Sequence, residues 1–177
     1  MKPIIIAIVG ASGSGKTHLS KFLQKEFGIP AIISTTTRPR REGEREGKDY
    51  FFVDNTSAYD RRDMLTYTRF GKYEYFSLKK QLPDRGFCTY VVDENGVRVL
   101  KRGAGEDYGV FCVTIRCKPA NRKARGVDPE RIERDKHRRN LGYQWVDMAI
   151  YNNGTAEQFE QAGRNLITIV EQWQHLL

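Results

Sequence analysis

Cysteine is scarce in this chain: Cys88, Cys112 and Cys117 are the only three, and no CxxC pair occurs among them. An odd count without metal-ligand spacing fits a disulfide scaffold or a zinc framework less well than free thiols. Buried thiols in a reducing compartment, the cytoplasm, are expected instead. Histidine is equally sparse. His18, His137 and His175 fit neither a metal site nor a catalytic triad, and surface or helix positions are expected for them. A long apolar run is missing too: a bilayer span needs roughly 20 residues, whereas the opening stretch Ile4 to Val9 breaks off at Gly10. No targeting signal, internal repeat or low-complexity tract is present, so neither a membrane role nor a repeat architecture is expected.

At 177 residues, 39% hydrophobic and 29% charged, the composition is that of one globular domain with a real core. Phe111, Trp145 and Trp173 are expected to pack in that core. The formal charge of +8 implies acidic partners: free nucleotides, nucleic acid or an anionic surface. Its distribution is uneven. The stretch from Arg116 to Arg139 holds ten Lys/Arg against four Asp/Glu, and Arg38, Arg40 and Arg41 follow a Ser/Thr run.

Local pattern orders the chain. Ile4 to Val9, rich in β-branched residues, runs into a glycine turn, and Lys16 to Phe27 then places Leu19, Phe22, Leu23 and Phe27 at helical spacing. Ala31 to Ser34, Tyr90 to Val92, Gly109 to Ile115 and Val146 to Tyr151 read as further strands. Strands alternating with helices imply a parallel sheet covered on both faces. Asn152, Asn153 and Gly154 make a turn, and Thr155 caps a last helix with Phe159, Leu166, Ile169, Val170 and Trp173 inward. Residues 35–85, rich in Tyr, Arg, Asp and Gly, read as an inserted substrate-side lobe with some β structure. Residues 122–139, whose apolar members are Ala124, Val127 and Ile132, read as an exposed, mobile helical flap. The core of the single domain 1–177 is then 1–34, 86–121 and 140–177.

Gly10-Ala11-Ser12-Gly13-Ser14-Gly15-Lys16-Thr17 matches G-x-x-x-x-G-K-[ST] between a buried strand and a helix, the context of a phosphate-binding loop. Backbone N–H groups must point at phosphate oxygens with no side chain in the way, and the helix N-terminus adds its positive dipole end. Lys16 is expected to reach the β- and γ-phosphates and Thr17 to ligate Mg²⁺. The loop implies an α/β P-loop NTPase fold that binds ATP or GTP. It does not by itself set the reaction.

Ser34-Thr35-Thr36-Thr37-Arg38-Pro39-Arg40-Arg41-Glu42-Gly43-Glu44, then Gly47-Lys48-Asp49-Tyr50-Phe51-Phe52-Val53, resembles the guanylate kinases, whose second strand leads into an S-x-T-T-R-x-x-R-x-G-E segment ending in D-Y-x-F. With the phosphate loop, the Asp93-Glu94-Asn95-Gly96 turn, the basic flap and the Asn152 turn, the likeness spans nearly the whole chain in order. It implies ATP-dependent phosphorylation of a nucleoside monophosphate, GMP first. By that resemblance Arg38, Arg41, Tyr50 and Tyr75 would hold the acceptor monophosphate, and Ser34, Ser77 and Asp93 would face its base. Two guanidinium forks and a phenol suit a phosphate dianion, while Arg40, Arg45 and Lys48 read as solvated. The chain departs from the family pattern at three places. Thr66 stands where the family has a base-reading carboxylate, Phe76 where it has Gly, and Val91 where it has the first Asp of Asp-x-Asp.

The resemblance makes the flap a lid, whose arginines would stabilise the charge on the transferring phosphoryl group and exclude water. Arg125 would sit over the nucleotide, Arg134 and Arg138 would act with Lys16 in catalysis, and Asn152 would line the adenine. The partners implied are small molecules, ATP with Mg²⁺ and the monophosphate; a nucleic-acid partner is not expected. Other readings stay open: a related kinase for a different nucleotide or a phosphorylated sugar, a non-catalytic module binding phosphorylated proteins through Arg38, Arg41 and Tyr50, or an end-processing nucleic-acid kinase.

Overall fold

A computed structural model describes residues 1–138 and 141–176. Arg139 and Asn140, where the expected lid ends and the last core segment begins, lie outside the described residues, as does Leu177. Along the chain run β1 (Ile4–Gly10), α1 (Lys16–Phe27), β2 (Ala31–Ile32), β3 (Thr35–Thr36), β4 (Phe51–Phe52), β5 (Met64–Phe70), β6 (Tyr73–Leu78), β7 (Phe87–Val91), α2 (Glu94–Gly103), β8 (Gly109–Arg116), α3 (Pro119–Ala124), α4 (Pro129–Lys136), β9 (Met148–Tyr151) and α5 (Ala156–Gln174).

Every residue of β1 is buried. Successive side chains of a strand point to opposite faces, so Ile4, Ile6 and Ile8 pack with Leu19 and Leu23 of α1 and Leu166 and Val170 of α5. Ile5, Ala7 and Val9 pack with Val97 and Leu100 of α2. A strand covered on both faces cannot alternate in polarity, which is why β1 reads as an unbroken apolar run. It lies in the middle of a five-stranded parallel sheet of order β2-β7-β1-β8-β9.

The second sheet is built from the inserted segment, in the order β4-β3-β6-β5. β5 and β6 form an antiparallel hairpin, β3 adds to β6 antiparallel, and β4 adds to β3 in parallel. The segment Ala31 to Ser34 is therefore not one strand of the core. Only Ala31 and Ile32 pair there, and Thr35–Thr36 already belongs to the second sheet. Likewise β9 begins at Met148, after a 3-10 turn over Tyr143–Trp145.

Several packing expectations are corrected. Ile169 is 40% exposed, and the buried stripe of α5 runs through Phe159, Gly163, Leu166, Ile167 and Val170. Those positions share one helical face, from which residue 169 is rotated away. Phe27, in the last turn of α1, is also exposed and meets Phe22 in an edge-on ring pair. Trp145 and Trp173 are half-buried partners of the core, and Cys117 is partly buried whereas Cys88 and Cys112 are buried. Among the described residues no helix is long and apolar enough to cross a membrane.

The stripe assignment is testable. Leu166→Ala is expected to destabilise the fold by about 2–5 kcal/mol through lost transfer energy and a residual cavity, while Ile169→Ala stays within about 0.5 kcal/mol; urea unfolding midpoints of the two variants would separate them.

Candidate functional site

β1 ends in a reversal that must run close to other backbone. Gly13 and Gly15 take φ of 70° and 112°, a region that costs other residues strain. A Cβ on Gly15 would lie 2.5 Å from Asn152 Nδ2, and one on Gly13 would lie 2.1 Å from Val127 Cγ2. α1 then starts with Gly15 as an N-cap that offers no side chain, and its first turn holds no acid. By contrast Asp93, Asp128 and Thr155 cap α2, α4 and α5. The N–H groups at the start of α1 are left for an anion. Thr17, exposed, sits on this first turn.

Lys16 donates from Nζ to the carbonyls of Gly10 at 2.9 Å and Ala11 at 3.0 Å. Burial lowers its pKa from 10.5 to about 8; the neighbouring Arg138 adds to the lowering and Asp135 opposes it. Asn152, buried, donates from Nδ2 to the carbonyl of Ser14 at 2.7 Å and accepts from Arg125 Nη2 at 3.1 Å. Arg125 is thereby held on the Asn152 turn.

α4 lies across the loop. Asp135 Oδ2 accepts the backbone N–H of Ser12 at 2.7 Å and Arg122 Nη1 at 3.1 Å, and the Asp135 side chain is 3% exposed. Arg134 donates to Ser12 Oγ at 3.2 Å, and Arg138 donates to the carbonyl of Gly10 at 2.6 Å while pairing with Glu94 at 2.7 Å. Burial alone would raise the Asp135 pKa, but the Ser12 N–H bond and the charges of Arg138 and Arg134 hold it below the usual carboxylate range. A carboxylate thus engages an N–H group of the anion loop. The flap is not wholly exposed as expected, since Arg122 is buried against this contact.

The loop opens onto a cavity of about 610 Å³ that the second sheet closes from the far side. The loop contributes Gly10 and Lys16, and the second-sheet segment contributes Arg38, Arg41, Tyr50, Thr66, Thr68, Phe70 and Tyr75. Ser34 precedes that segment, Tyr90 to Glu94 close one wall, and Arg131, Arg134, Asp135, His137 and Arg138 cover the rest. Arg38, 7% exposed, pairs with Glu44 at 2.7 and 3.0 Å and stacks over the Tyr50 ring at 5.3 Å. Glu44 also accepts the Arg41 N–H at 2.9 Å. Burial would raise Glu44, yet these bonds hold its pKa below the ordinary value. Tyr75 meets Tyr50 edge-on at 6.1 Å.

The residues singled out in the sequence are thus distributed over one cleft. Lys16, Ser34, Arg38, Arg41, Tyr50, Thr66, Tyr75, Asp93, Arg134 and Arg138 line the cavity, whereas Thr17, Arg125 and Asn152 do not, and Ser77 lies buried behind Thr66. Asp93 is engaged as the α2 cap through the Gly96 N–H at 2.7 Å. Sequence reasoning missed Thr68, Phe70, Tyr90, Arg131 and Asp135, whereas Glu94 was weighed with Asp93 as an acid near the metal. The period-two spacing of Thr66, Thr68 and Phe70 on β5 was a usable signal for two of them. Tyr90 read only as a strand residue and Asp135 as one acid in a basic helix, so neither carried a signal.

Among the described residues no group of three or more His, Cys, Asp or Glu stands ready to hold a metal. The hard donors near the loop are the Thr17 hydroxyl and the carboxylates of Asp93, Glu94 and Asp135, the last already engaged by Ser12 and Arg122. Such a set fits a hard divalent ion that brings waters and substrate phosphates with it.

A family model of guanylate kinase matches residues 1–131. The guanylate kinase of Fusobacterium nucleatum is 29% identical over 94% of this chain and 95% of its own length. That of Aromatoleum aromaticum is 30% identical over 75% of this chain and 70% of its own. The crystal structure of guanylate kinase from Anaplasma phagocytophilum superposes with a TM-score of 0.64 at 21% identity, covering 96% of this chain and 86% of that one, which shows the shared fold. By the extent of the family match, on an α/β fold that carries a phosphate loop at the end of β1, this chain belongs to the guanylate kinase family.

Proposed function

We propose that the chain transfers the γ-phosphoryl group of ATP to GMP, giving ADP and GDP. The observation that carries the reading is the joining, in one cavity, of an anion loop with a second cationic cluster on the facing sheet. In this reading residues 35–85 are the acceptor lobe and 122–139 the lid of a domain whose core is the rest. Gly10 to Thr17 cradle the triphosphate, and Arg125 with Asn152 forms the adenine side. Arg38, Arg41, Tyr50 and Tyr75 hold the acceptor phosphate, while Ser34, Thr66 and Asp93 face its base with Ser77 behind. Two polyanions repel, so catalysis here means holding them in line while cations absorb the charge. In this reading Lys16, Arg134 and Arg138, each hydrogen-bonded to the loop, do that at the γ-phosphate. Thr17, with Asp93 or Glu94 through water, would hold Mg²⁺; bound with ATP, the ion neutralises charge on the β- and γ-oxygens. Buried Cys88 and Cys112 suit a reducing cytoplasm.

The test is coupled ADP release with Mg·ATP and GMP. Turnover is expected, with Lys16→Ala and Arg41→Ala each lowering kcat/KM by about 10²-fold or more; wild-type protein that binds ATP but never turns over would refute the proposal.

Asp135 predicts a second outcome. Its carboxylate must leave Ser12 before a phosphate oxygen can arrive, and the occluded state reduces apparent affinity by the fraction that is open. Asp135→Asn is therefore expected to bind ATP about tenfold tighter in titration calorimetry, with unchanged or weaker binding excluding that role.

Lys16 supplies a third. A lysine held near pH 8 is partly neutral above that value, and a bound polyanion restores the charged form. ATP binding should then take up a proton and weaken as pH rises through 8. Calorimetry at about pH 9 in buffers of differing ionisation enthalpy should read an uptake approaching one proton, falling to near zero at about pH 6.5 and absent in Lys16→Ala.

A further inference from the structure

A trans peptide sets its C=O and the following N–H in opposite directions. The peptide bonds of the phosphate loop are trans, so whatever holds a loop carbonyl also decides where the next N–H points. The carbonyls of Gly10 and Ala11 accept from Lys16, and that of Gly10 from Arg138 as well. These are cations that the proposed function sends to the phosphates. The Ser12 carbonyl accepts from Arg122 Nη1 at 3.4 Å, a nitrogen that also donates to Asp135 at 3.1 Å. Ser14 is held differently. A neutral amide, Asn152 Nδ2, donates to its carbonyl at 2.7 Å. Asn152 is 6% exposed and does not line the cavity, so an arriving phosphate does not compete for this bond. The N–H that follows the Ser14 carbonyl is that of Gly15, which donates to no carbonyl among the described residues.

The Asn152 turn is itself anchored. Its own N–H donates to the Arg116 carbonyl at 2.8 Å. The neighbouring Asn153 accepts the Lys118 N–H on Oδ1 at 2.8 Å and Asn121 Nδ2 on its carbonyl at 3.2 Å. The turn is thereby tied to the end of β8 and the start of α3. Arg125 Nη2 donates to both the side-chain and the backbone oxygen of Asn152, at 3.1 and 3.2 Å. A guanidinium only donates and a backbone carbonyl only accepts, so a single orientation of the amide satisfies Arg125 and Ser14 together. An ionised aspartate lacks the donor that Ser14 needs, and a leucine lacks both groups.

We propose that Asn152 is a positioning residue of the phosphate loop: by holding the Ser14 carbonyl away from the ligand it aims the Gly15 N–H at a bound phosphate, whatever base that phosphate carries. The inference rests on the reading of this loop as the triphosphate cradle. Bordering the adenine side does not conflict with it, because each end of the Asn152 amide is engaged by the protein itself. A donor aimed beforehand needs no reorganisation when the anion arrives.

The experiment measures Kd by titration calorimetry, with Mg²⁺ present, for ATP, inorganic tripolyphosphate and GMP on the full chain and on Asn152→Ala. ATP and tripolyphosphate should weaken by the same factor, about tenfold or more, while GMP affinity stays unchanged. Weaker ATP beside unchanged tripolyphosphate would assign the residue to the base and overturn the inference, and so would no change in either. An equal loss for GMP would mark a general loosening of the fold and also overturn it. Wild-type protein that binds ATP but not tripolyphosphate refutes the inference alone; wild-type protein that binds neither removes the cradle reading as well. Should Asn152→Ala not fold, Asn152→Leu keeps the volume without the donor and takes the same measurements. A check on wild-type protein needs no variant: the Gly15 amide proton resonance should move downfield as tripolyphosphate is added, and an unmoved resonance overturns the inference.

Discussion

Lys16, Arg38, Arg41, Arg131, Arg134 and Arg138 line a single cavity, and the repulsion among these cations is the constraint that the surrounding structure answers. Two like charges about 4 Å apart cost roughly 4 kcal/mol at the effective dielectric near a protein surface. Three carboxylates offset this: Glu44 on Arg38, Glu94 on Arg138, and Asp135 between Arg122 and the phosphate loop. The lowered pKa of Lys16 registers the strain that is left over, after burial, from its neighbour Arg138. No apolar residue of α4 is buried, so its position over the loop leans on the Asp135 bonds to Arg122 and Ser12 more than on hydrophobic burial. An element held that way responds to charge. In the proposed reading, phosphates that satisfy the arginines remove the advantage of the contacts that hold α4 in its present place, coupling its position to nucleotide without a dedicated hinge.

The core was legible because its physics is local and periodic. An unbroken apolar run before a glycine loop can only be a strand buried on both faces, and β1 is that strand. The capping role of Thr155 followed from the same kind of local chemistry, and the capping box with Gln158 is present. Failures came where position depends on the partner. Phe27 and Ile169 are apolar yet exposed, Ile169 because it is rotated off the buried face of α5 and Phe27 at the last turn of α1. The core strand read as reaching Ser34 stops at Ile32, and the second sheet begins at Thr35, where the inserted lobe was expected to start.

The site was legible in outline and opaque in detail for a related reason. Motif residues such as Lys16, Arg38 and Arg41 are set by the shape of phosphate and recur in recognisable spacing. Tyr90, Glu94 and Asp135 matter through what they touch across long sequence separations: Tyr90 bonds Ser34 and Thr66, Glu94 bonds Arg138, and Asp135 bonds Ser12. No window along the chain contains such a pair.

The two halves of the cavity also differ in what they can distinguish. Charged groups read the number and position of phosphates, which every nucleotide of a given class shares, so they supply affinity without choice of base. In the proposed reading choice falls to the neutral hydroxyl wall, where one hydrogen bond contributes a net of about 0.5–1.5 kcal/mol. In that reading the groups at Thr66 and Tyr90 act on the base while Lys16, Arg38 and Arg41 act on phosphate. Because Ser77 is fully buried and Thr66 and Tyr90 nearly so, the hydroxyls must satisfy one another before they meet a ligand. That requirement makes the wall a connected row rather than a set of independent contacts, and it ties base selection to the packing of β5, β6 and β7.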